Sequence, residues 1–137
     1  MKVKNNKCFV DASALIALNN PKDQYHQVAI EIAKKLNHIE LIISDSVLSE
    51  THTFLRYRSG YPIASNLLEN ILVGAPFVIA DVTSEARMTA MALLEKFNDQ
   101  KISYCDALSV AIMQEQKIDR IFTFDHHFEV MGVQVIR

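Results

Sequence analysis

Five short apolar runs, each separated from the next by chain of helical length, constrain this sequence more than any other feature. They are CFV (8–10), LII (41–43), FVI (77–79), RIFT (120–123) and VQVI (133–136). None shows the sustained polar/apolar alternation of a half-exposed hairpin strand, so each reads as a strand covered on both faces. The chain between them carries helix signals. Residues 12–18 form an apolar helix that Asn19-Asn20-Pro21 ends, and Val28, Ile32, Leu36 and Ile39 recur at helical spacing. Ser44-Asp45 caps a helix reaching about residue 58, another covers 62–73, Thr83 opens a fifth, and Ser103 opens a sixth running to Gln116. Strands alternating with helices predict an α/β sandwich, with a mostly parallel central sheet of about five strands between helical layers.

The length of 137 residues fits one domain, taken as 1–137, with a core that needs no staples. With 3 Gly, 3 Pro and 50% hydrophobic residues, disorder and a turn-rich all-β fold are excluded. A formal net charge of -2 excludes a basic protein that coats nucleic acid, but not a local basic groove beside an acidic site. Cys8 and Cys105 sit far apart in apolar runs with no CxxC pairing, so they read as buried free thiols, not a zinc knuckle or a disulfide framework. The N-terminal lysines precede no apolar leader and no apolar run reaches about 20 residues, so the expected setting is the cytoplasm.

The carboxyl ends of the strands are where an open α/β sheet places its reactive crevice. The first strand ends at Asp11, and the fourth ends in Thr123-Phe124-Asp125. Glu50 borders the apolar arc of its helix, formed by Val47, Leu48, Phe54 and Leu55, on the side of Tyr57. Asp106 stands in SYCDALSVAIM, a helix apolar nearly all round and therefore expected to be buried. Each acid also has an ordinary explanation. Asp11 suits a helix N-cap, Asp125 a turn, Glu50 a snorkelling surface position, and Ser103 with Asp106 a capping box.

If the four converge, their repulsion is the dominant local energy. Two carboxylates ~4 Å apart repel by about 4 kcal/mol at an effective dielectric of 20, and a small domain has only ~5–15 kcal/mol of total stability. Protons or a divalent cation must offset that cost. An all-oxygen donor set suits Mg²⁺ or Mn²⁺ and not zinc, and such ions serve phosphodiester hydrolysis. Ser13, two residues after Asp11, is placed to orient water or an ion.

At these residues the sequence resembles the PIN-domain nucleases, in particular the VapC-type toxin ribonucleases. Four segments carry the likeness: FVDASALIAL (9–18), SDSVLSETHTFL (44–55), ISYCDALSVAIM (102–113) and RIFTFDHHF (120–128). By that resemblance Asp11, Glu50 and Asp106 match the family's three core acids, Asp125 the less strict fourth, and Ser13 the small hydroxyl residue after the first Asp. Ser103 and Thr123 stand as auxiliary polar residues beside Asp106 and Asp125. The resemblance implies Mg²⁺ or Mn²⁺ at the acids and endonucleolytic cleavage of RNA. It further implies a homodimer and a separately encoded antitoxin.

Arg56 and Arg58 follow Glu50 by one to two turns, while Lys101, His126 and His127 flank the acid-bearing segments. Arg56, Arg58, Lys101 and His126 are the candidates for substrate phosphates. Two other classes of function compete. One is a non-catalytic PIN-like module that binds RNA or protein. The other is a phosphoacceptor receiver domain, which wants paired acids after the first strand, where this chain has Asp11 followed by Ala12.

Overall fold

The computed structural model describes residues 6–74 and 77–136. The first five residues, with the N-terminal lysines searched for a leader, and Arg137 lie outside the described residues. The strands are β1 (Lys7–Val10), β2 (Glu40–Ile43), β3 (Phe77–Ile79), β4 (Arg120–Phe122) and β5 (Gln134–Ile136). The helices are α1 (Ala12–Asn19), α2 (His26–Lys35), α3 (Asp45–Arg58), α4 (Tyr61–Glu69), α5 (Ser84–Lys96), α6 (Tyr104–Gln116) and α7 (His127–Val130).

All neighbouring strands pair parallel, in the order β3-β2-β1-β4-β5. Parallel pairing requires a crossover between successive strands, which is why helical segments separate the apolar runs. The three central strands carry the most deeply buried sheet residues, including Phe9, Val10, Ile42, Ile43, Ile121 and Phe122, while β3 and β5 form the more exposed edges. The order grows outward from β1 to β2 and β3, then returns to the far side of β1 with β4. Right-handed crossovers therefore put α1–α4 on one face of the sheet and α5–α6 on the other. The packing agrees: α1 lies against α2 and α3, α3 against α4, and α5 against α6.

That reversal fixes the site. β1 and β4 leave the sheet side by side but send their chains in opposite directions, which opens the crevice of a topological switch point at their carboxyl ends. The pairs Phe9 with Ile121 and Val10 with Phe122 bring Asp11 and Thr123 abreast one step later. The Asp11 amide still donates to the Phe122 carbonyl at 3.1 Å.

Several local expectations need correction. The segment expected as one helix over 62–73 is α4 followed by a π-helical turn, Asn70–Gly74. The apolar stripe of α2 turns inward on Ala29 and Ile32, with Leu36 just past its end, while Val28 is exposed and Ile39 falls beyond the helix. Ile32 and Leu36 stay inward as their spacing predicts, and only at the first turn does Ala29 take the place expected of Val28. Strand β4 stops at Phe122 because Thr123 turns its side chain to the site, and β5 begins at Gln134, not Val133. Of the two histidines after Asp125, His126 precedes α7 and His127 opens it. Between α3 and α4, Gly60 takes φ +95°, a conformation a side chain would strain, and its amide closes α3 on the Leu55 carbonyl.

Candidate active site

Asp11 caps α1, as its residue type favours. Its Oδ2 also accepts hydrogen bonds from the Ser13 hydroxyl at 2.9 Å, the Ser13 amide at 3.3 Å and the Thr123 hydroxyl at 2.8 Å. Each hydroxyl then accepts from the strand-exit backbone: Phe124 N–H reaches Ser13 Oγ at 2.9 Å and Asp125 N–H reaches Thr123 Oγ1 at 3.0 Å. The two hydroxyl oxygens lie 3.0 Å apart. A carboxylate that is only 4% exposed is thereby tied to the exit of β4, and Thr123 is fully buried. Burial raises the Asp11 pKa above 3.8, the Thr123 and Ser13 hydrogen bonds oppose that rise, and the Asp106 charge adds to it.

Asp106 and Ser103 form the expected capping box at the start of α6, with the Ser103 amide donating to Asp106 Oδ2 at 3.1 Å and the Asp106 amide to Ser103 Oγ at 3.0 Å. Burial pushes the Asp106 pKa up, the bonds from Ser103 restrain it, and the charges of Asp125 and Glu50 raise it further. Asp106 thus interacts electrostatically with Asp11, Asp125 and Glu50. Asp125 Oδ1 accepts from the His127 amide at 2.9 Å and pairs with His127 Nδ1 at 2.9 Å, opening α7. Glu50 is exposed on α3. The ordinary roles are therefore real for Asp11, Asp106 and Asp125, and Asp106 stays within electrostatic range of the other two.

Cys105 corrects an expectation. Instead of being a buried spectator, it is only partly buried, and the Glu50 carboxylate lies close enough to act on its thiol. Burial, then the neighbouring Glu50 and the charges of Asp106 and Asp11, push its pKa far up. Sequence reasoning passed over it because a cysteine in an apolar helix looks like a small hydrophobe; its position one residue before Asp106 was the available signal. Cys8 does fit the expectation, with burial in β1 pushing its thiol up to about 11.

The acids gather around Asp106 at electrostatic range without closing into a ligating shell. Among the described residues no group of three or more His, Cys, Asp or Glu is arranged to hold a metal ion. In kind, the donors fit a hard divalent ion: carboxylate oxygens with hydroxyl neighbours, and a cysteine kept as a neutral thiol. The predicted phosphate contacts are exposed. Arg56 lies over the Tyr61 ring at 5.9 Å, Arg58 over Phe54 at 5.2 Å, Lys101 precedes the α6 cap, and His126 follows Asp125.

A parallel sheet reversing at β1, with Asp11 and Asp125 after the two strands that flank the reversal, defines a class of protein, and the sequence agrees. Residues 8–133 match the PIN domain family model, and the chain belongs to that family. It is similar to the 23S rRNA-specific endonuclease VapC20 of Mycobacterium tuberculosis in two strains, 29% identical over 129 residues that cover 94% of this chain and 97% of the relative. The crystal structure of M. tuberculosis VapC20, a sarcin-ricin loop cleaving toxin, matches with a TM-score of 0.87 at 28% identity. That match covers 96% of this chain and 99% of that one.

Proposed function

We propose that this chain is an endoribonuclease that hydrolyses RNA phosphodiester bonds with Mg²⁺ or Mn²⁺ at Asp11, Glu50, Asp106 and Asp125, as the toxin of a toxin–antitoxin pair. The observation that carries the reading is the electrostatic grouping of Asp11, Glu50 and Asp125 about Asp106 at the switch point of a PIN-domain sheet. Likeness to VapC20 makes RNA the first substrate class to test and 23S ribosomal RNA the first molecule.

When bound, a divalent ion offsets the carboxylate charge, polarises a phosphate oxygen and eases ionisation of the attacking water. The remaining work belongs to the protein. Asp11 and Asp106 present oxygens whose partners are set by Ser13, Thr123 and Ser103, so they meet the ion oriented. Glu50, exposed on α3, completes the donor set beside Cys105. Arg56, Arg58 and Lys101 face the incoming phosphates, and His126 stands beside Asp125.

The working setting is the cytoplasm; no helix among the described residues is long and apolar enough to cross a membrane. A homodimer held by its antitoxin completes the proposal, supported by the exposed apolar side chains of Tyr57, Tyr61, Leu72 and Val73. Light scattering of the purified chain, alone and with the product of a neighbouring reading frame, tests both.

The deciding experiment is cleavage of 23S ribosomal RNA with Mg²⁺ or Mn²⁺, compared with EDTA and with Asp106→Asn. Site-specific cuts that vanish in both controls are expected. Cleavage that survives both, or binding without any turnover, would replace the reading with that of a non-catalytic module.

A further inference from the structure

Beside Asp125 lies a cavity whose aromatic residues the proposed chemistry leaves unused. Its volume is about 610 Å³, within the range of small-molecule sites. Asp125 and the two histidines after it line the cavity, together with Gln24 and the rings of Tyr25, Phe54 and Phe124. The Tyr25 and Phe124 rings are stacked with centroids 4.6 Å apart and planes 6° from parallel. Phe124 in turn meets buried Phe122 edge-on at 5.9 Å. Yet Tyr25 remains 42% exposed and Phe54 38%. The order of the stack comes from its surroundings. Asp23 Oδ1 accepts from the Tyr25 amide at 2.8 Å, Asn20 Oδ1 from the Lys22 amide at 3.1 Å, and His26 Nδ1 lies 2.7 Å from the Ala17 carbonyl oxygen. The loop presenting Tyr25 is thus fixed to α1 and not free to fold its ring away.

A second cavity of about 600 Å³ shares Asp23, Gln24 and Phe54 with the first and adds the cations of Lys22 and Arg58. Acids, aromatic rings and cations therefore follow one another along a single groove. That sequence of surfaces matches the sequence of groups along a single RNA strand: a phosphate at the acid site, a base, then the next phosphate. Aromatic faces in a groove with cations are how single strands are held.

From this juxtaposition we propose that the Tyr25–Phe124–Phe54 cavity is a nucleobase subsite, taking the unpaired base beside the scissile phosphate by stacking on Tyr25. The Gln24 amide, both donor and acceptor, meets the base edge, and Lys22 and Arg58 meet the following phosphate. The inference rests on the endoribonuclease reading and adds to it a determinant of where the strand is cut. Tyr25 is a positioning residue here, not a catalytic one.

Two measurements test it. The first uses NMR in EDTA, so that no cleavage is needed. Millimolar 5′-GMP is expected to shift the Tyr25 and Phe124 ring resonances, whereas inorganic phosphate leaves them in place. The second uses kcat and KM on a short RNA containing the cut site and on copies abasic at one position at a time. Tyr25→Ala is expected to raise KM about tenfold with kcat nearly unchanged, and Tyr25→Phe to restore it. One abasic position should cost the wild type a similar factor and Tyr25→Ala nothing further. Ring shifts with no cleavage by the wild type would uphold the base subsite and sink the nuclease reading. Cleavage with no ring shifts, and with Tyr25→Ala indistinguishable from wild type, would overturn the subsite and leave the cavity to a protein side chain.

Discussion

The two walls of the crevice are built differently. On the β1–β4 side, Asp11, Ser13 and Thr123 are linked by hydrogen bonds of 2.8–3.3 Å to one another and to the exit of β4, and both Asp11 and Thr123 are buried. On the α3 side, Glu50, Arg56 and Arg58 stand exposed, and the two arginines have aromatic faces as partners. The contrast separates two jobs. The buried wall sets geometry before anything binds, and the exposed wall adjusts to what arrives. Asp11 and Asp106 stand at the N-termini of α1 and α6, and the helix dipoles there offset part of the repulsion between them.

The largest expected effect falls on the acids themselves. Loss of residues supporting a metal ligand typically costs ~10–100-fold, so removing a ligand should cost more. Asp11→Asn and Asp106→Asn are each expected to lower kcat/KM by more than about 100-fold on RNA. Far-UV circular dichroism should show both still folded. If either retains near-wild-type cleavage, the acid grouping is structural only.

Next is Thr123→Val, which separates the walls. It removes a donor to Asp11 and leaves the Asp125 amide without its acceptor. A buried group left unsatisfied costs about 1–3 kcal/mol, and the loss of a ligand's support should lower activity ~10–100-fold. Urea unfolding and RNA cleavage should therefore fall together. A variant that loses activity with its urea midpoint unmoved would show that the knot holds the ion and not the fold.

Much of this was legible in the sequence. Asp11 and Asp125 follow apolar strand runs, and Asp106 interrupts a helix poor in charge, so local pattern alone marks them. The β1–β4 knot was not legible as a knot, because Ser13 and Thr123 meet only when the sheet reverses at β1. The Tyr25–Phe124 stack is of the same kind: its rings come from a loop and a strand exit that no periodicity connects. The surroundings of Cys105 were not legible because Glu50, which acts on its thiol, lies on a different helix. Local signals gave the elements, and tertiary pairing decided which side chains face one another.

Divalent ions should act on the buried wall with intermediate strength. An ion that binds only the folded state stabilises by about 2.7 kcal/mol at 100 times its Kd. Mn²⁺ is expected to raise the melting temperature of the wild type and not of Asp106→Asn. Acidity should act in the opposite direction on the metal-free protein. Asp11 and Asp106 have folded pKa values raised above 3.8, so their stabilising contribution is complete below that value and is lost as pH rises through the folded values. In EDTA these two groups should make stability fall from about pH 4 toward neutrality, and Mn²⁺ should reverse the trend because it binds the deprotonated acids. A metal-free stability curve that climbs steadily from pH 4 to neutrality in the wild type and is unaltered by Asp106→Asn would remove electrostatic strain from the account.

The smallest effects belong to the exposed wall, and they complete the contrast. Lys101 precedes the α6 cap and is exposed, so Lys101→Ala should leave stability within ~0.5 kcal/mol of wild type. If its ammonium meets a phosphate of single-stranded RNA, the slope of log K against log[salt] should become shallower by about 0.7. Arg58→Ala should change the slope similarly, with an added cost of up to ~1 kcal/mol from losing its position over Phe54. Both variants should weaken RNA binding at low salt and converge on the wild type at high salt, whereas Thr123→Val should be impaired at every salt concentration. Salt therefore distinguishes the walls without reference to sequence or fold: screening removes what the exposed cations contribute and leaves what the buried hydrogen bonds have fixed. A salt slope unchanged in both cation variants would move the RNA path away from α3 and the α6 cap.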